Sequence, residues 1–187
     1  GEKDELPFDD VTKSDWYWET VKEAYENNYM NGVSATKFAP RGKLSRAMFV
    51  TVLYRMEGSP YAEKSDFADL EPGAYYEDAV AWASANGIVN GITEELFAPA
   101  NEITREQMAA MLYRYAKYKD MDMSQSTNIL SYSDYEKIAE YAIEPMQWAA
   151  DRGILKGRTD TTLDPKDTAT RAEAATVFVR FARLMNE

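Results

Sequence analysis

The sequence predicts an all-α protein built from three helix–loop–helix repeats. Three observations support this prediction: a set of short motifs occurs three times, apolar residues within each copy follow a helical spacing, and turn-forming residues separate the helical segments. A hydrophobic content of 45% over 187 residues is sufficient for a buried core. Because one pair of helices cannot bury such apolar faces alone, we expect the three pairs to pack around a common centre as a single compact domain, residues 1–187.

Four motifs define the repeat. Each copy contains a glycine after Asn or Lys, a loop with a proline, a hydroxyl residue followed by arginine, and an apolar segment that ends in arginine. The glycines are Gly32, Gly91 and Gly157. The arginines that end the apolar segments are Arg55, Arg114 and Arg180. The recurrence predicts three modules, at residues 6–58, 65–118 and 130–186.

The first helix of each module is predicted to follow an acidic turn and an aromatic residue. The acidic turns contain Asp10, Asp69 and Asp134. We expect these helices to end near Asn28, Gly87 and Gly153, because a residue that tolerates a left-handed conformation is typical of the position just after a helix. A loop rich in Gly, Thr, Asn, Asp and Pro then leads to the second helix.

The second helix of each module has the clearest start. Thr104 is predicted to form a capping box with Gln107, in which the hydroxyl accepts from the third helical N–H and the longer side chain reaches back. Thr170 and Glu173 predict a second box, and Ser45 can cap its helix alone. Apolar residues then recur at i, i+3, i+4 and i+7, which predicts a face directed at the core. This face contains Phe49, Val52, Leu53 and Met56, then Met108, Met111, Leu112 and Tyr115, then Ala174, Val177, Phe178 and Phe181.

The composition excludes several partners and chemistries. With 32 acidic and 21 basic residues the net charge is −11, so we expect no nucleic-acid partner, and an anionic ligand requires a local basic pocket. The chain contains no histidine and no cysteine, which excludes disulfides, imidazole catalysis and Cys/His zinc sites. No run of 18 apolar residues occurs, so we expect no membrane insertion. The sequence starts at Gly1 without a signal peptide, so a secreted protein would have had its signal removed.

No pattern in the sequence indicates catalysis, a metal or a cofactor. The acid-rich stretches at 66–69 and 160–164 do not follow the spacing of a calcium-binding loop. Carboxylate pairs are the catalytic groups of most glycosidases, but no spacing among the 32 acids singles out one pair. We therefore expect no enzymatic activity, no cofactor and no metal site.

Arg46, Arg105 and Arg171 are the main candidates for ligand binding. Each is predicted at the first position of a helix, where the helix dipole disfavours a cation by roughly a few tenths of a kcal/mol. A guanidinium beside the free N–H groups of a helix start forms an anion site suited to a carboxylate. In the alternative interpretation, each arginine pairs with an acidic turn and holds two modules together. The two interpretations are compatible and both remain open.

Other residues complete the candidate site. The recurring glycines and aspartates are included with the arginines: Gly32, Gly91, Gly157, Asp10, Asp69 and Asp134. A glycine can let a ligand approach the backbone, although a turn that needs positive φ is the interpretation we favour. Trp16, Tyr75 and Trp148 can stack on a sugar ring, but Trp82 and Trp148 lie on an apolar helix face and are expected in the core. Lys43 either adds positive charge to one site or is simply solvated.

The recurring motifs resemble those of S-layer homology modules. The resemblance lies in the acidic turn, the segment 87–91 with the sequence Gly-Ile-Val-Asn-Gly, the Phe-x-Pro loop and the Thr-Arg-Ala-Glu start of the second helix, and it extends over roughly residues 6–186. It implies a pseudo-threefold, three-pronged helical bundle with grooves between adjacent modules. Met48 and Gln107 replace the motif glutamate, and Asn28 replaces the first glycine of the paired element, so the three grooves are expected to differ.

The resemblance also implies a function. Such domains hold secreted proteins on the secondary cell-wall polysaccharide of Gram-positive and related bacteria, often through a terminal pyruvylated N-acetylmannosamine that meets the motif arginine. Carried over to this sequence, that arginine is Arg46, Arg105 or Arg171. We therefore expect a non-catalytic, extracellular cell-wall anchor that is monomeric as a domain and part of a larger surface protein. The alternative is a protein-interaction or self-assembly module without glycan binding.

Overall fold

The computed structural model describes residues 5–125 and 129–187, and this part of the chain contains six α-helices and no β-strand. The helices are α1 Trp18–Glu26, α2 Arg46–Met56, α3 Glu77–Ala85, α4 Arg105–Tyr118, α5 Glu140–Asp151 and α6 Arg171–Met185. Two short 3₁₀ turns, Ile129–Ser131 and Tyr135–Lys137, precede α5. Each predicted module therefore contains two helices, and the all-α prediction is confirmed. The pseudo-threefold packing stays a prediction.

The chain divides into two compact units. Unit 1 contains Gly1–Leu44 and Ala169–Glu187, and unit 2 contains Ser45–Thr168. In unit 1, α1 packs on α6, where the Thr20 and Thr176 hydroxyls are 2.8 Å apart. In unit 2, α2 packs on α3 and α4 packs on α5. The single-domain boundaries predicted from the sequence are not tested by this division and stay a prediction.

The second helix of every module begins where the sequence predicts. Both capping boxes are present: Thr104 accepts from the Gln107 amide at 3.2 Å, and Thr170 accepts from the Glu173 amide at 3.1 Å. Ser45 caps α2 without a reciprocal partner. The arginine after each cap is therefore the first helical residue, as predicted.

The first helix of each module ends two residues before the residue near which its end was predicted. Asn28, Gly87 and Gly153 have φ angles of 60°, 71° and 69°, in the left-handed region. In α3 the Gly87 amide donates to Ser84 and the Ile88 amide to Ala83, so the last carbonyls of the helix find partners. Asn is tolerated at Asn28 because its short side chain reduces the cost of a positive φ.

The predicted apolar face belongs to the core. All of its residues except the partly exposed Met56 are buried. Trp82 and Trp148 are 1% and 0% exposed, which confirms that they belong to the core. Within residues 5–125 and 129–187, no helix is long and apolar enough to cross a membrane.

Candidate functional site

Each acidic turn holds a loop of its own module. The Asp10 carboxylate accepts hydrogen bonds from the amides of Phe38 at 2.9 Å and Ala39 at 2.8 Å. Ala39 has a φ of 55°, so these hydrogen bonds stabilise a strained turn. Burial, the largest single influence on the Asp10 pKa, opposes ionisation, but the hydrogen bonds to Phe38 and Ala39 and the charge of Lys37 keep the pKa below its ordinary value. The carboxylate therefore has a structural role.

The other two acidic turns repeat this arrangement. Asp69 accepts from the amides of Phe97 and Ala98 at 2.9 and 2.7 Å. Asp134 is 7% exposed and accepts from the amides of Leu163 and Asp164 at 2.9 and 2.8 Å. The second loop residue again has a positive φ, 61° in Ala98 and 49° in Asp164. The structural role is thus common to the three modules.

The N–H groups at the start of each second helix are occupied. In α2, the Arg46 amide donates to the Asn101 carbonyl at 2.8 Å and the Ala47 amide to the Pro99 carbonyl at 3.1 Å. The same pair of hydrogen bonds joins the start of α4 to Asp167 and Pro165, and the start of α6 to Gly42 and Pro40. The expectation that free helix N–H groups contribute to an anion site is therefore wrong. Loop carbonyls from another module satisfy these donors, and a sequence pattern cannot reveal such distant acceptors.

The three candidate arginines are buried and bind loop carbonyls. Arg46, Arg105 and Arg171 are 4%, 3% and 8% exposed. Their Nε atoms donate to the carbonyls of Phe97, Leu163 and Phe38 at 3.0, 2.8 and 2.8 Å. Their Nη2 atoms donate to the carbonyls of Asn90, Lys156 and Asn31 at 3.3, 2.7 and 2.7 Å. These hydrogen bonds offset the cost of a cation at a helix start.

The arginine and the aspartate meet through one loop residue. Asp69 binds the amide of Phe97, and Arg46 binds the carbonyl of the same residue and stacks on its ring, 4.7 Å from the centroid. Phe38 joins Asp10 to Arg171 in the same manner, with the guanidinium 4.9 Å from the ring centroid. Among the described residues, Arg46 and Arg171 thus form no direct ion pair with an acidic turn, which the sequence had allowed; arginine and aspartate instead hold the same loop residue through its backbone atoms.

The recurring glycines are required by packing. None of Gly32, Gly91 and Gly157 has a positive φ, so the turn interpretation favoured from the sequence is wrong. A Cβ on Gly91 would collide with the carbonyls of Thr93 and Leu96 and lie 2.6 Å from the Phe67 ring. Equivalent contacts surround the other two glycines, with the rings of Phe8 and Tyr132. Only glycine lets the loop fold this tightly against an aromatic ring.

One groove in unit 2 gathers several of these residues. Its volume is about 410 Å³, which is within the range of small-ligand pockets. Arg46 and Arg114 supply positive charge, and Asn90 and Gln107 supply amides. Gly91, Ala110, Ile92, Met111 and Tyr141 complete its lining. Parts of all three modules therefore meet at one groove.

Seven of the nine groove residues were not among the candidates predicted from the sequence, and they include Gln107, Arg114 and Tyr141. Arg114 lies on α4, three residues after the buried Met111, and Tyr141 comes from α5 of the third module. Gln107 was noted only as a capping residue. The recurrence of Arg55, Arg114 and Arg180 was a signal for the second cation, but nothing in the sequence showed that Arg114 approaches Arg46.

The aromatic candidates divide by exposure. Trp16 and Tyr75 are 68% and 58% exposed, and each ring contacts the following tyrosine edge-on at 5.2 Å. The assignment of Trp148 to a ligand site is wrong, because this residue packs fully inside unit 2 and its ring cannot reach a ligand. Lys43 is exposed, and its backbone pairs with that of Thr170.

Comparisons with known proteins agree with the repeat. The family model of the S-layer homology domain matches residues 7–48, 66–109 and 131–175. An endoglucanase of Bacillus sp. (strain KSM-635) is 36% identical over 92% of the chain. An S-layer protein of Bacillus thuringiensis subsp. finitimus is 28% identical over 90%, and a surface-layer 125 kDa protein of Lysinibacillus sphaericus is 26% identical over 87%. The chain spans only 18%, 20% and 14% of the lengths of these three relatives.

Proposed function

Because this chain belongs to the S-layer homology domain family, we propose that it anchors a larger protein by binding secondary cell-wall polysaccharide non-covalently in its grooves. The domain is an anchoring module of the bacterial cell surface, and we attribute no catalytic activity to it. The finer proposal is that the bound group is an acidic sugar, such as a terminal pyruvylated N-acetylmannosamine.

The observation that carries the proposal is the position of Arg46 in the groove of unit 2. Two of its nitrogens are fixed by the carbonyls of Phe97 and Asn90, which orient the guanidinium without neutralising it. Nη1 forms no hydrogen bond with the described residues, and Arg46 lines a groove that also contains Gln107. A carboxylate is the acceptor that a fixed guanidinium binds best.

The apolar part of the groove supports a ketal-bearing sugar. Ile92 and Met111 line the same groove as Arg46, and Ile92 is 50% exposed. A pyruvyl ketal carries a methyl group beside its carboxylate, so it fits a groove that has an apolar side and a cationic side. Burial of one methyl group contributes about 0.8 kcal/mol.

The remaining candidates enter the proposal in two ways. Arg105 and Arg171 share the loop contacts of Arg46 and are proposed to serve equivalent sites, each beside its glycine, Gly157 or Gly32. Asp10, Asp69 and Asp134 are proposed to act indirectly, by fixing the loop that supports the arginine. Trp16, Tyr75 and Lys43 are proposed as outer contacts of a longer glycan.

A ligand-side experiment tests this function without disturbing the buried arginines. The domain is incubated with purified wall polysaccharide before and after chemical removal of the pyruvyl group. We expect co-sedimentation with the intact polymer and its loss with the depyruvylated polymer. Equal retention by both polymers would contradict recognition of the acidic group. Retention by walls stripped of polysaccharide would instead support the alternative of a protein-interaction or self-assembly module.

A further inference from the structure

Arg114 is a guanidinium without a hydrogen-bond acceptor among the residues that the structure describes. It is partly buried on α4 and lines the groove that contains Arg46. Among the residues that the structure describes, no hydrogen bond or ion pair to Arg114 is formed. A partly desolvated cation in this state is costly, because neither water nor a carboxylate fully compensates its charge.

The groove around Arg114 has no negative charge. Its nine lining residues include two arginines and no Asp or Glu, in a chain whose net charge is −11. Gln107 contributes to this imbalance, because it replaces the glutamate of the helix-start motif with a neutral amide. The Gln107 Oε1 accepts from the Thr104 amide at 3.0 Å, which leaves its NH₂ group as a donor.

The positive charge of Arg114 also destabilises the charged form of Arg46. Burial is the largest influence on the pKa of Arg46 and lowers it. The positive charge of Arg114 lowers this pKa further, while Tyr141 and Asp69 raise it. Burial lowers the pKa of Arg114 as well. Burial is the largest influence on the pKa of Tyr141 and raises it, and the charge of Glu106 raises it further. The Tyr141 hydroxyl therefore stays protonated at neutral pH and adds no charge. Two cations that line one groove, with no carboxylate in the lining, are suited to an anionic ligand.

We propose that Arg114 is a second ligand-binding cation and that the acidic group of the ligand lies between the Arg46 and Arg114 guanidiniums. Arg114 is then the residue that selects an acidic over a neutral sugar in this groove. Arg46 is fixed by loop carbonyls and contributes mainly orientation, whereas Arg114 contributes uncompensated charge. This inference rests on the proposed function of the same groove.

The test compares two probes and three variants. The probes are the methyl glycoside of 4,6-pyruvylated N-acetylmannosamine and the same glycoside without pyruvate, with affinity measured by calorimetry. Arg114→Gln removes the charge and Arg114→Lys keeps it as a point charge. Lys117→Gln is the matched control, because it removes one positive charge from the same helix at an exposed residue that does not line the groove.

We expect Arg114→Gln to weaken binding of the pyruvylated probe about tenfold to hundredfold and to leave binding of the neutral probe unchanged, since a hydrogen bond to a charged group contributes about 1.5–3 kcal/mol. Arg114→Lys should fall between the original domain and Arg114→Gln, and Lys117→Gln should bind as the original domain does. If Arg114→Gln unfolds, Arg114→Lys decides the question, because loss of the planar guanidinium should weaken only the pyruvylated probe.

The outcomes separate the two proposals. If the folded Arg114 variants bind the pyruvylated probe as tightly as the original domain, the role of Arg114 is overturned while the proposed function stands. If the original domain binds neither probe, the proposed function itself is contradicted. An equal loss for both probes would also overturn the selective role, since a residue that only shapes the groove would affect both sugars.

Discussion

At the scale of single residues, the loop of each module is held from two sides. An aspartate accepts from the amide of a loop residue, and an arginine from another module donates to the carbonyl of the same residue. The loop residue is Phe38, Phe97 or Leu163. Each charged side chain therefore forms its hydrogen bonds with a neutral peptide group. The bonds from the arginine to carbonyl oxygens explain how a cation is tolerated at the start of a helix.

Asp134 is the best residue for testing this support, because it is buried. We expect Asp134→Ala to lower the free energy of unfolding by about 1–3 kcal/mol, since the amides of Leu163 and Asp164 lose their acceptor away from water. Urea denaturation measures the change. Asp160→Ala, at an exposed residue of the same module, is the control and should change stability little. Equal stability of the two variants would show that the loop does not depend on the carboxylate.

At the scale of the helices, α4 differs from α2 and α6 in its second residue. Glu106 is 3% exposed, whereas the equivalent positions are occupied by Ala47 and Ala172. Its carboxylate accepts from the Ala139 amide at 2.9 Å and from Lys166 at 2.6 Å. Ala139 is the residue just before α5, and its methyl side chain cannot cap the helix. The Glu106 carboxylate accepts from its amide instead and connects the start of α4 to the start of α5.

We expect Glu106→Ala to destabilise unit 2 by about 1–3 kcal/mol, because it leaves a partly buried amide at the start of α5 without an acceptor. Denaturation gives the total effect, and hydrogen exchange of the Ala139 amide locates it. Glu94→Ala makes the same substitution at an exposed site and should have little effect. Unchanged exchange at Ala139 in the Glu106 variant would contradict the connection.

At the scale of the whole molecule, the electrostatics act in opposite directions at long and short range. The chain carries a net charge of −11, whereas the charged side chains that line the groove in unit 2 are both positive, Arg46 and Arg114. We therefore expect the proposed anionic polysaccharide to be repelled at a distance and attracted on contact. Salt screens the distant repulsion more strongly than the partly buried groove contacts.

We expect the association rate with immobilised pyruvylated polysaccharide to rise when salt is increased from about 10 mM to about 100 mM, as the Debye length falls from about 30 Å to about 10 Å. Surface plasmon resonance measures the rate. Changing the exposed acids Glu63 and Glu95 to Gln should make the association rate less dependent on salt concentration. An association rate that falls steadily with salt would show that local attraction by the groove controls the encounter.

The repeat, the six helices, the caps of the second helices and the apolar face could be predicted from the sequence, whereas the construction of the site depends on tertiary contacts. Caps and helical faces depend on residues three or four positions apart, so Thr104 and Gln107 predict their own geometry. The partners of Arg46 lie 44 and 51 residues away, and Tyr141 belongs to a different module. Local spacing carries no information on such contacts. The tertiary contacts therefore decide that the helix-start amides are occupied, that packing requires the recurring glycines, and that Arg114 and Arg46 line the same groove.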